Sequence, residues 1–322
     1  LSLCALCFSH RYLHGEFMFG RFAILSSGLL VGFNLVAMAP SVEKMLRGWS
    51  TIGLSSTFLI GAFNDRPTAR DNATFAFVVY QLSDCALLVA AALAGVPGSE
   101  GLTAAGLLIA ALFKSSQFPL TGLFTRSMEG VSPNSALGYA GLSAHAGIVL
   151  LSSTKPLWYG IAWARATVVA IGALTATHAG IVANIRADRK GGIACAAAST
   201  LGMLFFLLGA LGCTELVLLL SFGHAAFRMM QLLRSANWIL DAHNYQNALG
   251  HKAVAATKVP APLYKLAWAL NRLHTDFTLP AVLQKLDRPL LLNWSGQAVG
   301  TCVLVALVVS VHLPQPEERL VG

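Results

Sequence analysis

A lysine at the end of an apolar run is the first residue in this sequence that could do chemistry. Residues 111–121 read ALFKSSQFPLT, so Lys114 is followed by Ser115, Ser116, Gln117 and then Pro119. Pro119 has no amide hydrogen; the carbonyl of Ser115 loses its helical donor and the helix breaks beside the amine. Within a membrane, a broken helix with polar neighbours is the mark of a water-lined site. An amine placed there can release and regain a proton near neutral pH. The alternative is a structural lysine held by a carboxylate such as Asp84. Six more ionisable residues fall inside apolar runs: Asp84, His145, Arg165, His178, His224 and Arg228. Such groups are costly in hydrocarbon and mark functional positions by default. His224 and Arg228 lie at i and i+4 in SFGHAAFRMMQLL and share one helix face. Arg228 stays charged, so its part is to set the field at a neighbour rather than to pass a proton. His145, flanked by small residues in LSAHAGIVLL, has room for water and can relay protons. Arg165 reads equally as a side chain reaching for the interface or as a functional charge, and His178 as a neutral ring bonded to a backbone carbonyl.

No metal site is expected. The histidines do not fall at ligand spacing and no carboxylate cluster joins them. Cys4 and Cys7 form one CxxC with no second pair, a coincidence of spacing. The other four cysteines, Cys85, Cys195, Cys213 and Cys302, lie in or beside apolar stretches and read as small hydrophobes. Ser152 and Lys155 form an SxxK in a short loop without partners and are set aside. The chain starts at Leu1 with no cleavable signal pattern.

The elements that must position these residues follow from composition. Of 322 residues, 56% are hydrophobic and 11% are charged, where a soluble domain carries about 25% charged residues. A core holding this much apolar side chain would leave too little polar surface to cover it, so lipid is the natural solvent. Apolar spans are read at 20–39, 46–63, 74–96, 102–120, 133–153, 157–183, 191–211, 213–235 and 295–313. Most can cross about 30 Å of hydrocarbon as helices, and helices they must be, because backbone groups in lipid are satisfied internally and nothing alternates like a barrel strand. The expected fold is all-α: a polytopic transmembrane bundle of nine to ten helices with broken helices. Residues 1–240 form the membrane domain. Residues 241–294 form an amphipathic interfacial segment, in which LYKLAWALNRLHTDF (263–277) has the pattern of a helix lying in the interface. Residues 295–313 form a last transmembrane helix. The net charge of +8 fits basic loops such as NIRADRKGG (184–192) facing anionic lipid. The basic residues are too scattered, and too far from any aromatic platform, for nucleic acid.

Residues 111–151, ALFKSSQFPLTGLFTRSMEGVSPNSALGYAGLSAHAGIVLL, resemble the signature of the antiporter-like membrane subunits of respiratory complex I, which are homologous to subunits of multi-subunit cation/proton antiporters. That pattern is a lysine, SAQ-P, ME-x-PTP-x-SAL, then AG before an aliphatic tail. Lys114, Ser116, Gln117, Pro119, Met128, Glu129, Pro133, Ser135, Ala136, Leu137, Ala146 and Gly147 match it in order. GWSTIGLSSTFLIGAFNDRPTARDNA (48–73) is similar to the GWE-x-x-GL-x-S-x-LIG stretch of the subunit 5 branch. DRKGGIACAAASTLGML (188–204) resembles DIKR-x-LAYSTISQLGYM, with Lys190 in the lysine's place, and GHAAFRMMQLL (223–233) resembles the HAFFKALLF helix.

The resemblance implies a proton path through the middle of the membrane. A lysine on a broken helix, here Lys114 with breaks at Pro119 and Pro133, exchanges a proton. A neighbouring glutamate tunes it, and a second broken helix with a further lysine or glutamate leads to the other side. Lys190, His145, His224, Arg228 and Asp84 are the candidates for the rest of the path or its tuning. Quinone reduction elsewhere in an NADH:ubiquinone oxidoreductase would drive it. Flavin and iron–sulfur clusters are expected in other subunits, and no cofactor in this chain. There are departures. The glutamate of GWE is Ser50, leaving Asp84 or Glu43 to substitute; the histidine of SALLH is Tyr139; the lysine of HAFFK is Arg228. About three of the family's N-terminal helices are not found in the sequence, which reads either as a reduced or split version whose helices come from a separate chain or as a divergent copy that keeps the scaffold; the expected partners are other membrane-arm subunits and lipids. The expected location is the mitochondrial inner membrane, or alternatively a bacterial plasma membrane. The alternative functions are a cation/proton antiporter subunit, the membrane subunit of an inorganic-carbon uptake system, and a structural complex I subunit that has lost pumping.

Overall fold

The computed structural model describes residues 2–235, apart from positions 17, 64 and 187, together with 261–276. Among them there is no strand. The helices are α1 (Ser2–Tyr12), α2 (Phe19–Met38), α3 (Val42–Ile60), α4 (Pro67–Leu93), α5 (Glu100–Lys114), the short α6 (Gly122–Arg126), α7 (Ser132–Ser153), α8 (Ala162–Ala183), α9 (Arg189–Leu211), α10 (Thr214–Ser235) and α11 (Ala261–Asp276). Six of them, α2, α4, α7, α8, α9 and α10, are long and apolar enough to cross a membrane. The architecture is an all-α polytopic membrane bundle.

Local sequence explains the helix ends. Ser41 precedes α3, and its hydroxyl accepts from the amide of Lys44 at 3.5 Å. Pro67 occupies the first turn of α4, where a missing amide hydrogen costs nothing. Asp188 caps α9 by accepting from the Gly191 amide at 2.6 Å, and Gly212, at φ 65°, ends that helix in the left-handed region.

Sequential neighbours pack as hairpins: α2 on α3, α4 on α5, α8 on α9. Small residues let backbones approach, as expected where lipid supplies no hydrophobic drive between helices. A Cβ added at Gly172 of α8 would lie 2.8 Å from the Gly202 carbonyl of α9. The centre is built by α3, α4, α5 and α7, whose Trp49, Tyr80, Lys114 and Tyr139 are among the largest fully buried side chains. The outside is apolar, with Met38, Ile24, Leu219 and Phe222 exposed, which suits a surface facing acyl chains.

Three expectations change in detail. The span read at 102–120 is not one helix: α5 stops at Lys114 and α6 starts at Gly122. The span read at 157–183 divides at Tyr159–Ile161, and its helix begins at Ala162. Pro133 does not break α7 but sits in its first turn, where proline is tolerated. The irregularity comes just after it, in widened π-type turns over Ser135–Leu142 and a tight 3₁₀ turn over Ser143–His145. In the expected interfacial segment, residues 261–276 are a helix that packs on α8. The rest of that segment and the helix expected at 295–313 lie outside the described residues.

Candidate functional site

Lys114 is the last residue of α5 and is completely buried. Beyond it the chain reverses through Ser116, at φ 52°, and a cis Phe118–Pro119 peptide. The break satisfies most of its own backbone. The Ser115 carbonyl, left without a helical donor, accepts from the Gln117 side-chain amide at 3.1 Å. The Phe118 amide donates to the Thr175 hydroxyl of α8 at 2.9 Å, and the Ser115 hydroxyl donates to the Ala144 carbonyl of α7 at 2.6 Å. Gly147 faces this turn because any side chain there would collide with the Ser115 hydroxyl and the Ala111 carbonyl. The Ser116 hydroxyl and the Gln117 side-chain oxygen Oε1 are buried with no protein partner among the described residues. Buried polar groups of this kind are normally met by water.

The Lys114 ammonium donates to Asp84 of α4 at 3.2 Å. It also lies 4.9 Å from the Tyr80 ring centroid and 5.2 Å from that of Trp49, so two aromatic faces hold it by cation–π attraction. Ser50 donates a hydrogen bond to the Asp84 carboxylate. Trp49 is fixed in turn: its indole donates to Ser83 at 3.0 Å, and Ser83 donates to the Ala110 carbonyl at 2.8 Å. Gly53 makes room, for a Cβ there would lie 2.8 Å from the Lys114 nitrogen. Of the two carboxylates considered for the place of the glutamate absent at Ser50, Asp84 is the one that touches Lys114, while Glu43 is exposed in the first turn of α3.

The second group is His145, His224 and Arg228. The Nε2 of His145 lies 2.9 Å from the Nδ1 of His224, and the Nε2 of His224 lies 2.7 Å from the Thr200 hydroxyl of α9. Arg228, one turn after His224 on α10, donates to Thr200 at 3.3 Å, to the Ala196 carbonyl at 3.0 Å and to Gln231 at 2.9 Å. His145 follows Ala144, whose carbonyl takes the hydroxyl of the residue after Lys114, so the two groups adjoin through the break.

Lys190 stands apart. It opens α9 and donates to the carbonyls of Met128 and Gly130 at 3.1 and 3.0 Å. It is ten residues from Thr200 on one helix, about 15 Å at 1.5 Å per residue. Glu129, beside these carbonyls, lies 3.9 Å from the exposed Arg66, which marks this end of the bundle as its edge. His178 has its Nδ1 3.4 Å from the Thr121 hydroxyl and its Nε2 3.2 Å from the Leu270 carbonyl of α11. Arg165 lies near the start of α8, over the Tyr159 ring. Among the described residues no cluster of His, Cys, Asp and Glu could hold a metal. Tyr80, Trp49, Ser127 and Thr200 escape a reading of the sequence because hydroxyls and aromatic rings are ordinary in apolar helices. Only their convergence on charged groups singles them out.

A buried amine and carboxylate thus meet at a helix break inside an all-α polytopic membrane bundle. Residues 39–313 match the family described as NADH:quinone oxidoreductase/Mrp antiporter, TM, and the chain belongs to that family. NADH-quinone oxidoreductase subunit L of Neisseria meningitidis serogroup A / serotype 4A is 27% identical over 77% of this chain and 41% of its own length. Subunit L of Escherichia coli K12 is 28% identical over 73% of this chain and 42% of its own. NADH-ubiquinone oxidoreductase chain 5 of Geomys personatus is 27% identical over 79% of this chain and 44% of its own. The chain thus spans about two fifths of the length of these relatives. A chain in the structure of the Mrp complex from Dietzia sp. DQ12-45-1b superposes with a TM-score of 0.57 at 22% identity, covering 70% of this chain and 26% of that one, and shares the fold.

Proposed function

We propose that this chain is a proton-translocating, antiporter-like subunit in the membrane arm of an NADH:quinone oxidoreductase. The observation that carries the reading is the Lys114–Asp84 pair at the α5 break. In such a pair the amine changes its charge state as the carboxylate moves toward or away from it. The His145–His224–Thr200 row leads protons onward, and Arg228 holds the row by bonding Thr200 and sets its field. Lys190 ends a path at the bundle's edge. The redox chemistry, with its flavin and iron–sulfur clusters, belongs to other subunits, and quinone reduction there supplies the drive. Moving one proton against 100 mV costs about 2.3 kcal/mol, and a two-unit pKa change supplies about 2.7 kcal/mol, so a modest rearrangement around one buried pair is large enough.

Relatives of similar identity come from bacteria, as NADH-quinone oxidoreductase subunit L, and from a mammal, as NADH-ubiquinone oxidoreductase chain 5. Either a bacterial plasma membrane or the mitochondrial inner membrane therefore suits this reading. Purification in mild detergent identifies the setting. Co-purifying flavin, iron–sulfur signals and NADH oxidation support the membrane arm, and the same preparation shows which neighbours, including any separate chain that supplies further helices, accompany it.

A second reading is favoured by the tightness of the same pair. Walled by two aromatic rings and a carboxylate, Lys114 also fits a locked, structural lysine. The test is Lys114→Met in the assembled complex. Proton uptake per NADH falls if the lysine carries protons. An unchanged ratio with the assembly intact would leave the chain a structural role only.

A further inference from the structure

The path through Lys114, Asp84 and the two histidines leaves a second polar row unused. Tyr80 lies one turn before Asp84 on α4, and its ring walls the Lys114 pocket. Its hydroxyl reaches 2.6 Å to the hydroxyl of Tyr139, on the widened turns of α7. The Ser143 hydroxyl also faces that of Tyr80, and the Ser127 hydroxyl faces that of Tyr139. All four residues are buried. Ser127 opens the turn Ser127–Glu129, which adjoins the carbonyls that hold Lys190 and places Glu129 beside Arg66 at the bundle's edge. Ser127 is itself fully buried and its hydroxyl donates to the Phe124 carbonyl at 2.6 Å, so the row reaches from the wall of the Lys114 pocket to Ser127, at the start of the turn that ends at Glu129.

The surroundings are wet in character. Asn134, on the first turn of α7, is buried with neither its amide nitrogen nor its oxygen bonded to protein, and the neighbouring Ser135 hydroxyl is likewise unpartnered among the described residues. Asn134 stands against Gly130, where a side chain would collide with its amide. Polar atoms enclosed in this way recruit water.

We propose that Tyr80, Tyr139 and Ser127 form a hydroxyl relay that conducts protons between Lys114 and the face of the bundle at Glu129 and Lys190. The inference rests on Lys114 as a proton carrier, the reading proposed above. Each hydroxyl can both donate and accept, Ser127 by turning its hydrogen away from the Phe124 carbonyl to which it donates at rest. A proton arriving on one oxygen is matched by the departure of that oxygen's own proton to the next, so one O–H bond forms for each that breaks. No tyrosine is left ionised. A water beside the Tyr80 ring completes the step to the lysine nitrogen, and the hydroxyls then rotate back.

The test uses membrane vesicles carrying the whole assembled complex, driven by NADH, with proton uptake read by dye quenching at matched NADH oxidation. Tyr80→Phe and Tyr139→Phe each keep the ring and remove the hydroxyl. Both are expected to lower uptake to the level of Lys114→Ala, with the double variant no worse than either single one, since one gap opens the whole row. Tyr139→His, which puts another proton-passing group in place, is expected to recover uptake; a merely structural hydroxyl pair would not be rescued in this way. If Tyr139→Phe does not assemble, Tyr80→Phe with Tyr80→His makes the same comparison from the other helix. Full uptake in the Phe variants, with Lys114→Ala inactive, overturns the relay and leaves the Lys114 reading standing. Loss in the Phe variants without recovery by histidine also overturns the relay. Full uptake in Lys114→Ala overturns the reading beneath it.

Discussion

At the scale of single residues, the chemistry turns on the cost of a charge without water. Lys114 and Asp84 meet at 3.2 Å inside the bundle, and each is tolerable there only because of the other. Removing one partner strands the second, which costs about 3–5 kcal/mol. Lys114→Met and Asp84→Asn should therefore each lower the melting temperature of the detergent-solubilised protein. The double variant should be more stable than the sum of the two losses predicts, because no charge is left unpaired. Strict additivity in that cycle would show that the two side chains do not interact. The pair was half legible in the sequence. A lysine and an aspartate inside apolar runs announce themselves by their price in hydrocarbon, but nothing in the spacing of residues 84 and 114 says that they touch. Tyr80, Trp49 and Thr200 carried no such signal, since an aromatic ring or a hydroxyl is cheap to bury once its polar atom finds a partner.

At the scale of elements, the site depends on a break that is held from outside. α5 ends at Lys114, and the chain beyond it is tied to α8 by the Phe118 amide and to α7 by the Ser115 hydroxyl. Pro119 made this break readable in advance, because a missing amide hydrogen is a local fact. The irregular turns of α7 were not readable: Ser135–Leu142 contains no proline, and its widening is set by what packs around it. The ties predict a distinct phenotype. Thr175→Val keeps the shape of the side chain but removes the acceptor for the half-buried Phe118 amide, at a cost of about 1 kcal/mol. Gly53→Ala acts on the same site from α3 by placing a methyl 2.8 Å from the ammonium, which must then shift. Both variants should lower proton uptake while leaving the complex assembled, as judged by native gel and NADH oxidation. Wild-type uptake in Gly53→Ala would show that Lys114 does not occupy that space.

At the scale of the whole molecule, the hydropathy that signalled a membrane protein also fixes which surfaces meet lipid and which meet water. Cys85 lies well inside α4 with its side chain on the outer surface of the bundle, whereas Cys213 sits exposed in the turn between α9 and α10. Both are exposed in the bare protein, but their solvents differ. A cysteine in hydrocarbon stays a neutral thiol, and the thiolate is the form that reacts with a maleimide. In single-cysteine variants within sealed vesicles, a membrane-impermeant maleimide should label Cys213 from one side only and leave Cys85 unlabelled until the membrane is dissolved. The buried Cys195 should stay unlabelled until the protein is unfolded. Labelling of Cys85 in intact vesicles, at a rate like that of Cys213, would mean that the outer face of α4 is wet, and the bundle would then have to sit in the membrane in another orientation or not span it at all.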